Sequence, residues 1–211
     1  MRPGPDRLVR ELRGRIADPR VLSAIRAVPR DVFVPEGLRH EAWDNTPLPI
    51  GCGQTISQPL VVARMCELLE LRGDERVLDV GTGSGYHAAL LSYLAAEVYS
   101  IELHPQLSDR AARALAEAGA VVTLAVGDGC RGLPEHAPYD AINVAAAARR
   151  RIPPALVAQL APGGRLVAPV EEHGDQYLAL LREEGGRLHT TRLERVRFVP
   201  LVPGRLPSGR G

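Results

Sequence analysis

The chain has 211 residues, the size of one globular domain, and 45% of them are hydrophobic, as in an ordinary folded protein. Its 26 basic and 25 acidic residues leave a net charge of +1, which excludes nucleic-acid binding through bulk positive charge. The sequence has no lysine, so a lysine Schiff base and a lysine phosphate clamp are excluded as well.

The cysteines and the first residues predict where the protein works. Cys52, Cys66 and Cys130 have no metal-ligand spacing, and an odd number of cysteines is typical of a reducing compartment. The first 15 residues alternate charged and apolar side chains and lack the apolar core of a signal peptide. The six histidines show no ligand spacing, and we expect them at the surface or at helix caps. We therefore expect a cytoplasmic protein without a metal site and without membrane attachment.

The first third of the chain predicts two short helices followed by a long loop. Apolar residues recur at helical spacing on either side of residue 18, ahead of Pro29. Residues 29–56 contain so many prolines and glycines that we expect an irregular but ordered loop, of a length that is often functional. Ser57 is predicted as the N-cap of the next helix, with Pro59 in its first turn.

Beyond that helix, short apolar strands alternate with helices. Strands are predicted at residues 76–80, 97–101, 121–126, 139–144 and 165–170, and helices at 85–94, 105–118 and 153–160. This alternation predicts an α/β fold with a doubly wound, mostly parallel sheet. Residues 176–202 contain Glu184-Gly-Gly186 and predict a C-terminal antiparallel hairpin. The expected organisation is 1–56 as N-terminal helices and loop, 57–202 as the core of the same domain, and 203–211 as a disordered tail.

A glycine-rich turn follows the first core strand, in the segment Val77-Leu-Asp-Val-Gly-Thr-Gly-Ser-Gly-Tyr86. A strand, a glycine turn and a helix form the context of a nucleotide-type cofactor site. The sixth position counted from Gly81 is Tyr86 rather than glycine, which departs from the dinucleotide pattern. Asp79 would repel a pyrophosphate but would attract a sulfonium or an amine. The turn therefore favours S-adenosylmethionine.

Acidic residues also stand at the ends of the next two strands. Glu102 lies 17 residues after Gly85, near the spacing at which a carboxylate accepts hydrogen bonds from ribose hydroxyls. Gly127-Asp128-Gly129 ends the third strand, where an adenine would lie. Each of these signals alone also fits a turn or a solvated strand end. Together they predict a cofactor site made of Asp79, Gly81, Thr82, Gly83, Ser84, Gly85, Glu102, Asp128 and Gly129.

Several segments resemble the protein-L-isoaspartate (D-aspartate) O-methyltransferase family over about residues 20–202. The most specific matches precede the core, and others follow the strands: Arg30-Asp-Val-Phe-Val-Pro35, Pro47-Leu-Pro-Ile-Gly51, Gly53-Gln-Thr-Ile-Ser-Gln-Pro59, Val98-Tyr-Ser-Ile-Glu102, Ala137-Pro-Tyr-Asp-Ala141, Gln159-Leu-Ala-Pro-Gly-Gly164 and Arg197-Phe-Val-Pro-Leu201. The resemblance implies the seven-stranded class I S-adenosylmethionine-dependent methyltransferase fold, with an unusual order of the last two strands.

The resemblance also implies a reaction and its residues. The methyl group of S-adenosylmethionine would pass to the free carboxylate of an isoaspartyl residue in a damaged protein or peptide, and the ester would close to a succinimide. The serine of the Gln-Thr-Ile-Ser segment is the family's active-site residue, which corresponds to Ser57. We place Thr55, Ile56 and Gln176 on the substrate side. By context alone, Ser57 would only cap its helix.

Two departures and three alternatives remain open. Cys52 stands where bacterial relatives usually have histidine, and Glu171 stands where they have glycine, so that its charge would oppose a carboxylate substrate. The first alternative is a relative that methylates a normal aspartate of one dedicated peptide to install a succinimide. The others are a dinucleotide-dependent oxidoreductase and a catalytically silent adenosyl-binding module. We expect a monomer.

Overall fold

A computed structural model describes residues 4–204. Within this range the helices and strands follow in the order α1 (Pro5–Leu12), α2 (Pro19–Ala27), β1 (Leu48–Gly51), β2 (Gln54–Ile56), α3 (Pro59–Leu68), β3 (Arg76–Val80), α4 (Tyr86–Leu94), β4 (Glu97–Glu102), α5 (Pro105–Glu117), β5 (Thr123–Val126), β6 (Tyr139–Val144), β7 (Ala148–Arg149), α6 (Pro154–Val157), β8 (Leu160–Glu172), β9 (Asp175–Glu184) and β10 (Arg187–Arg195). Short 3-10 turns, among them Arg30–Phe33 and Glu36–Glu41, fill part of the stretch between α2 and β1.

The main sheet has the order β10-β9-β8-β6-β3-β4-β5, and the two-residue β7 pairs with β8. Strands β5, β4, β3, β6 and β8 run parallel, while β8, β9 and β10 pair antiparallel in chain order. The predicted fold class is therefore confirmed, with seven strands on the main path and β7 as a small addition. The carboxyl ends of β3 and β4 lie side by side at the centre of one sheet edge, where open α/β sheets bind ligands.

Alternating side chains fill a core on both faces of the sheet. Val77 packs with the N-terminal helices and α4, whereas Leu78 and Val80 pack with residues of α6 and β8 on the other face. Leu8 and Ile25 belong to the same cluster as Val77, so the N-terminal helices are packed onto the core. Burial on both faces explains why these strands are nearly continuous apolar runs in the sequence.

The stretch predicted as an irregular loop contains a small antiparallel hairpin. Strands β1 and β2 pair with each other, and Cys52 and Gly53 form the two-residue connection. Both connecting residues have positive φ, 53° for Cys52 and 69° for Gly53, which is the requirement of a type I′ turn. Pro49 thus lies in β1 and Gly53 in a regular turn, so the prediction of an irregular loop was wrong for residues 48–56.

Helix α3 begins later than predicted. It starts at Pro59, its N-cap is Gln58, and the Leu60 amide donates to Asn45 Oδ1 at 3.0 Å. Ser57 lies just before the helix and does not cap it, so the cap prediction was wrong. The capping oxygen comes from a residue 15 positions earlier in the chain, which frees the Ser57 side chain for another role.

The C-terminal part of the core also differs in its boundaries. Helix α6 covers only Pro154–Val157, and β8 already begins at Leu160, five residues before the predicted strand. The last segment predicted as a tail is described only up to Gly204, and residues 205–211 lie outside the described range. None of the helices between residues 4 and 204 is both long enough and apolar enough to cross a membrane.

Candidate active site

A cleft opens at the carboxyl ends of β3 and β4. Its walls come from residues 54–57, 80–84, 101–104 and 199–202, together with Tyr86, His87, Gly129, Ala145 and Ala146. These segments are far apart in the sequence. The fold therefore brings the glycine turn, Glu102, Gly129 and the segment that ends in Ser57 to one cleft.

The glycine turn has the backbone conformation that its sequence requires. Gly81, Gly83 and Gly85 have φ values of 94°, 55° and 91°, which side chains other than glycine rarely adopt. Gly81 and Gly83 line the cleft, whereas Gly85 lies behind it. A Cβ atom on Gly85 would lie 3.2 Å from the Ala111 Cβ atom, so this glycine allows α4 to approach α5.

Glu102 lines the cleft and holds the glycine turn in place. Its Oε2 atom accepts a hydrogen bond from the Gly83 amide at 2.7 Å, and its Oε1 atom accepts one from the His104 amide at 2.9 Å. A carboxylate has about four acceptor sites, so further hydroxyl groups can bind to it. Because the Gly83 amide already donates to Glu102, it is not free to bind a phosphate.

Asp79 lies beneath the turn and does not line the cleft. It is fully buried, and its oxygens accept hydrogen bonds from Ser100 Oγ at 2.8 Å and Asn143 Nδ2 at 2.7 Å. Burial raises the pKa of this carboxyl from 3.8 to about 6, although the two hydrogen bonds oppose the change. At neutral pH the carboxyl is mainly ionised, and its negative charge lies under the cleft floor.

Asp128 and Gly129 follow strand β5 and lie in different surroundings. Gly129 is buried and lines the cleft, and a Cβ atom there would come within 2.7 Å of Val80 Cγ1. Asp128 is half-buried at the rim of a neighbouring depression, and its Oδ1 atom accepts from the Cys130 amide at 2.9 Å. The structure thus places Gly129 in the cleft and Asp128 beside it, with one carboxylate oxygen used in a local turn.

The predicted catalytic and substrate residues divide into two groups. Thr55, Ile56 and Ser57 follow the hairpin turn and line the cleft, with Ser57 half-buried. Gln176 does not line it. Its side-chain amide accepts from the Phe198 amide at 2.6 Å and donates to the Phe198 carbonyl at 3.1 Å, so it anchors the segment that continues into the cleft wall.

Three features of the site were missed in the sequence. His87 is buried in the cleft floor, against the expectation of surface or cap positions, and burial lowers its pKa to about 3, so the ring is neutral. Residues 199–202 form a wall, which only the family motif hinted at. Arg30 is fully buried and donates to the Ser57 carbonyl at 2.9 Å, and no local pattern signals this contact.

The two residues that depart from the family pattern lie away from the cleft walls. Glu171 pairs with Gln176 between β8 and β9 and does not belong to the residues that line the cleft. Cys52 is exposed at the hairpin turn, with Arg110 Nη2 3.9 Å from its sulfur. The concern that the Glu171 charge opposes a carboxylate in the cleft therefore has no support in its position.

The donor and acceptor set fits S-adenosylmethionine better than a dinucleotide. Glu102 offers acceptors for hydroxyl groups, and the buried Asp79 charge favours a cationic ligand above it. Within the described chain no arginine lines the cleft, so a pyrophosphate would meet carboxylates without a compensating cation. The chemistry of the site thus disfavours the oxidoreductase alternative.

Comparison with known proteins identifies the family. The family model described as protein-L-isoaspartate(D-aspartate) O-methyltransferase matches residues 5–206. The protein-L-isoaspartate O-methyltransferase of Methanoculleus marisnigri is 53% identical over 194 residues, covering 91% of this chain and 88% of that protein. The Vibrio cholerae enzyme of the same name is 47% identical over 206 residues, covering 97% and 98%.

A solved structure supports the same conclusion. A Plasmodium falciparum protein-L-isoaspartate O-methyltransferase in complex with S-adenosyl-L-homocysteine has a TM-score of 0.84 and 26% identity, covering 94% of this chain and 98% of that one. The family match covers residues 5–206, which include every residue that lines the cleft. The chain belongs to the protein-L-isoaspartate(D-aspartate) O-methyltransferase family.

Proposed function

We propose that this protein repairs damaged proteins by transferring the methyl group of S-adenosylmethionine to the free carboxylate of an isoaspartyl residue, with Ser57 aligning that carboxylate. The observation that carries the proposal is the position of Ser57 in the same cleft as the glycine turn and Glu102. The resulting ester closes to a succinimide, and hydrolysis of the succinimide returns some normal aspartate.

The reaction needs alignment more than acid–base chemistry. A carboxylate with a pKa near 4 is ionised at pH 7 and attacks without a general base. When bound, S-adenosylmethionine supplies an electrophilic methyl group on a positively charged sulfur. Holding reactants in line is worth effective molarities of about 10⁵–10⁸ M, which is the contribution the cleft would make.

The residues of the chain divide this work between two sides of the cleft. Glu102 and the glycine turn hold the nucleoside side, because Glu102 fixes the turn and retains acceptor capacity for ribose hydroxyls. The Ser57 hydroxyl donates to one oxygen of the substrate carboxylate and leaves the other oxygen directed at the methyl group. Thr55 and Ile56 form the adjoining wall for the substrate chain. Gln176 supports that side through Phe198.

The substrate assignment is tested with a matched pair of peptides that differ only in one isoaspartyl or aspartyl residue. Transfer of a tritiated methyl group is measured with both peptides under the same conditions. We expect methylation of the isoaspartyl peptide alone. Methylation of the aspartyl peptide alone would contradict repair and favour the dedicated-peptide alternative, and absence of transfer to both would favour a silent adenosyl-binding module.

Replacement of Ser57 tests the alignment role. We expect Ser57→Ala to lower kcat for the isoaspartyl peptide by about 100-fold, of the order seen when one well-aligned hydrogen bond to the reacting group is lost. Binding of S-adenosylhomocysteine, measured by calorimetry, is expected to stay within about twofold, since Glu102 and the turn are intact. Ser23→Ala on the exposed face of α2 is the control. Unchanged turnover in Ser57→Ala would refute the role.

We also propose that the protein acts as a monomer in the cytoplasm, without nucleic acid or membrane. The nearly balanced charge supports the part of this proposal that concerns nucleic acid. Residues 4–56 and 57–202 would form one domain, because Leu8, Ile25 and Val77 share one core cluster. Sedimentation as a single species of 22.8 kDa, together with one cooperative unfolding transition, is the expected result.

A further inference from the structure

Arg30 carries a charge into the interior without a carboxylate partner. Its side chain is fully buried, and among residues 4–204 no acidic oxygen lies within 4.0 Å of its guanidinium. Its Nη1 atom has no hydrogen-bond partner in the same part of the chain. Burying an unpaired charge is costly, so such a residue is rare where packing alone is needed.

The contacts of Arg30 connect Ser57 with two other parts of the chain, and its Nη2 atom also lies 3.4 Å from the Thr46 carbonyl oxygen, to which it donates. Its Nη2 atom donates to the Ser57 carbonyl at 2.9 Å, and its Nε atom donates to the Ala42 carbonyl at 2.8 Å. The guanidinium carbon lies 4.8 Å from the centre of the Tyr86 ring, at the start of α4. Arg30 therefore joins the backbone of Ser57 to the helix that follows the glycine turn.

The guanidinium remains charged in this environment. Burial lowers the pKa of Arg30 to about 10, which still leaves it protonated at pH 7. Tyr86 is the titratable group that faces it, and Cys66 lies near Tyr86 in turn. Burial raises the pKa of Tyr86 to about 12 and also raises the pKa of the Cys66 thiol, so both groups remain neutral at pH 7. The Ser57 side of the cleft thus has a cation behind it, whereas Asp79 and Glu102 are acidic groups on the nucleoside side.

We propose that Arg30 is a positioning and specificity residue of the methyl transfer: it fixes the backbone at Ser57, and its unpaired charge favours a carboxylate at that position over a neutral group of the same shape. The inference rests on the proposed function, because it concerns the carboxylate that Ser57 aligns. In this arrangement the two substrates meet charges of opposite sign. The negative charge of Asp79 lies on the side of the sulfonium, and the positive charge of Arg30 lies on the side of the carboxylate.

The test compares two peptides that differ only in the charge at the reacting position. One carries an isoaspartyl residue, and the other carries its uncharged isoasparaginyl counterpart, with an amide in place of the carboxylate. Binding of both to the protein saturated with S-adenosylhomocysteine is measured by calorimetry. The wild-type protein is expected to bind the carboxylate at least about tenfold more tightly. Equal binding of the two peptides by the wild-type protein overturns the proposal without any variant.

Arg30→Met removes the charge while keeping an extended apolar stem. We expect the isoaspartyl peptide to lose about tenfold in affinity and the isoasparaginyl peptide less than about threefold. Arg39→Met, the same change at an exposed arginine of the neighbouring 3-10 turn, should alter neither. Equal losses for both peptides would make Arg30 a purely structural residue. Circular dichroism and S-adenosylhomocysteine binding establish that each variant is folded.

Arg30→Lys gives a second test, the pH dependence of the preference for the carboxylate. A purely structural role of residue 30 would not produce such a dependence. A buried lysine titrates well below 10.4, in some proteins as low as about 5–6, so its charge and the preference for the carboxylate should disappear together as the pH rises from about 5 to 9. The wild-type preference should persist over that range. A Lys variant whose preference stays flat with pH contradicts the proposal. Failure of the proposed function is distinct, since it would appear as absent methylation of the isoaspartyl peptide by the wild-type protein.

Discussion

The buried carboxyl of Asp79 lowers the free energy of unfolding when it is ionised. It is fully buried, and its two hydrogen bonds come from the neutral donors Ser100 and Asn143 rather than from a cation. The pKa of 3.8 therefore rises to about 6 in the folded protein. The folded state binds a proton more tightly than the unfolded state does, so the contribution of Asp79 to stability is present below about pH 4 and is lost as the pH rises through about 6.

This direction of the pH dependence leads to a prediction for Asp79→Asn. Between pH 4 and pH 7 the wild-type protein should lose up to about 3 kcal/mol of unfolding free energy relative to the variant, the equivalent of the change in pKa. The Asn side chain still offers an acceptor to Asn143, so the variant is expected to fold. Urea unfolding at several pH values measures the difference. Asp109→Asn on the exposed face of α5 is the control, and parallel stability curves for Asp79→Asn and the wild type would refute the linkage.

At the scale of elements, local signals located some boundaries and missed others. Strands β3 and β6 lie where their apolar runs predict, because strands buried on both faces need such runs. The start of α3 was misplaced because Asn45, not Ser57, accepts from its first turn, and that contact depends on how a distant loop folds back. Hairpin β1–β2 was missed because Cys52 occupies a turn position that normally selects asparagine or glycine.

The unusual residue in that turn leads to a prediction for Cys52→Asn. Cys52 has a φ of 53°, and asparagine adopts this conformation at lower cost, so Asn-Gly would replace a strained Cys-Gly pair. We expect the variant to gain about 0.5–1 kcal/mol in unfolding free energy. Urea unfolding of the reduced proteins measures the gain, and methylation of the isoaspartyl peptide should not change. Cys52→Val, with a β-branched side chain at positive φ, should lose stability instead. An equal midpoint for both variants would contradict the assignment of the turn.

For the whole molecule, the site depends on segments that only the fold brings together. The sequence predicted the glycine turn, Glu102 and Gly129 at adjacent strand ends, because parallel strands place their carboxyl ends at one edge. It did not predict that Arg30 reaches Ser57 over 27 positions, or that residues 199–202 close one wall. Those contacts depend on tertiary packing of loops, for which the sequence carries no periodic signal.

Gln176, at the start of β9, anchors that last wall. Its side chain holds Phe198 through two hydrogen bonds, and beyond Phe198 the Ala147 amide donates to the Val199 carbonyl while the Leu201 amide donates to the Ala147 carbonyl, both at 2.8 Å. The wall is thus tied to the sheet at Gln176 and at Ala147. Loss of one tie should loosen the segment without unfolding the core.

Gln176→Leu tests this arrangement against direct contact with the substrate. Loss of two hydrogen bonds to backbone groups costs about 1–3 kcal/mol locally, so amide exchange in residues 197–202 should speed up by about tenfold or more. S-adenosylhomocysteine binding, measured by calorimetry, should weaken with it, because residues 199–202 line the cleft. Gln106→Leu on the exposed face of α5 is the control. A rise in the KM for the isoaspartyl peptide alone, with exchange and nucleoside binding unchanged, would instead indicate that Gln176 contacts the substrate.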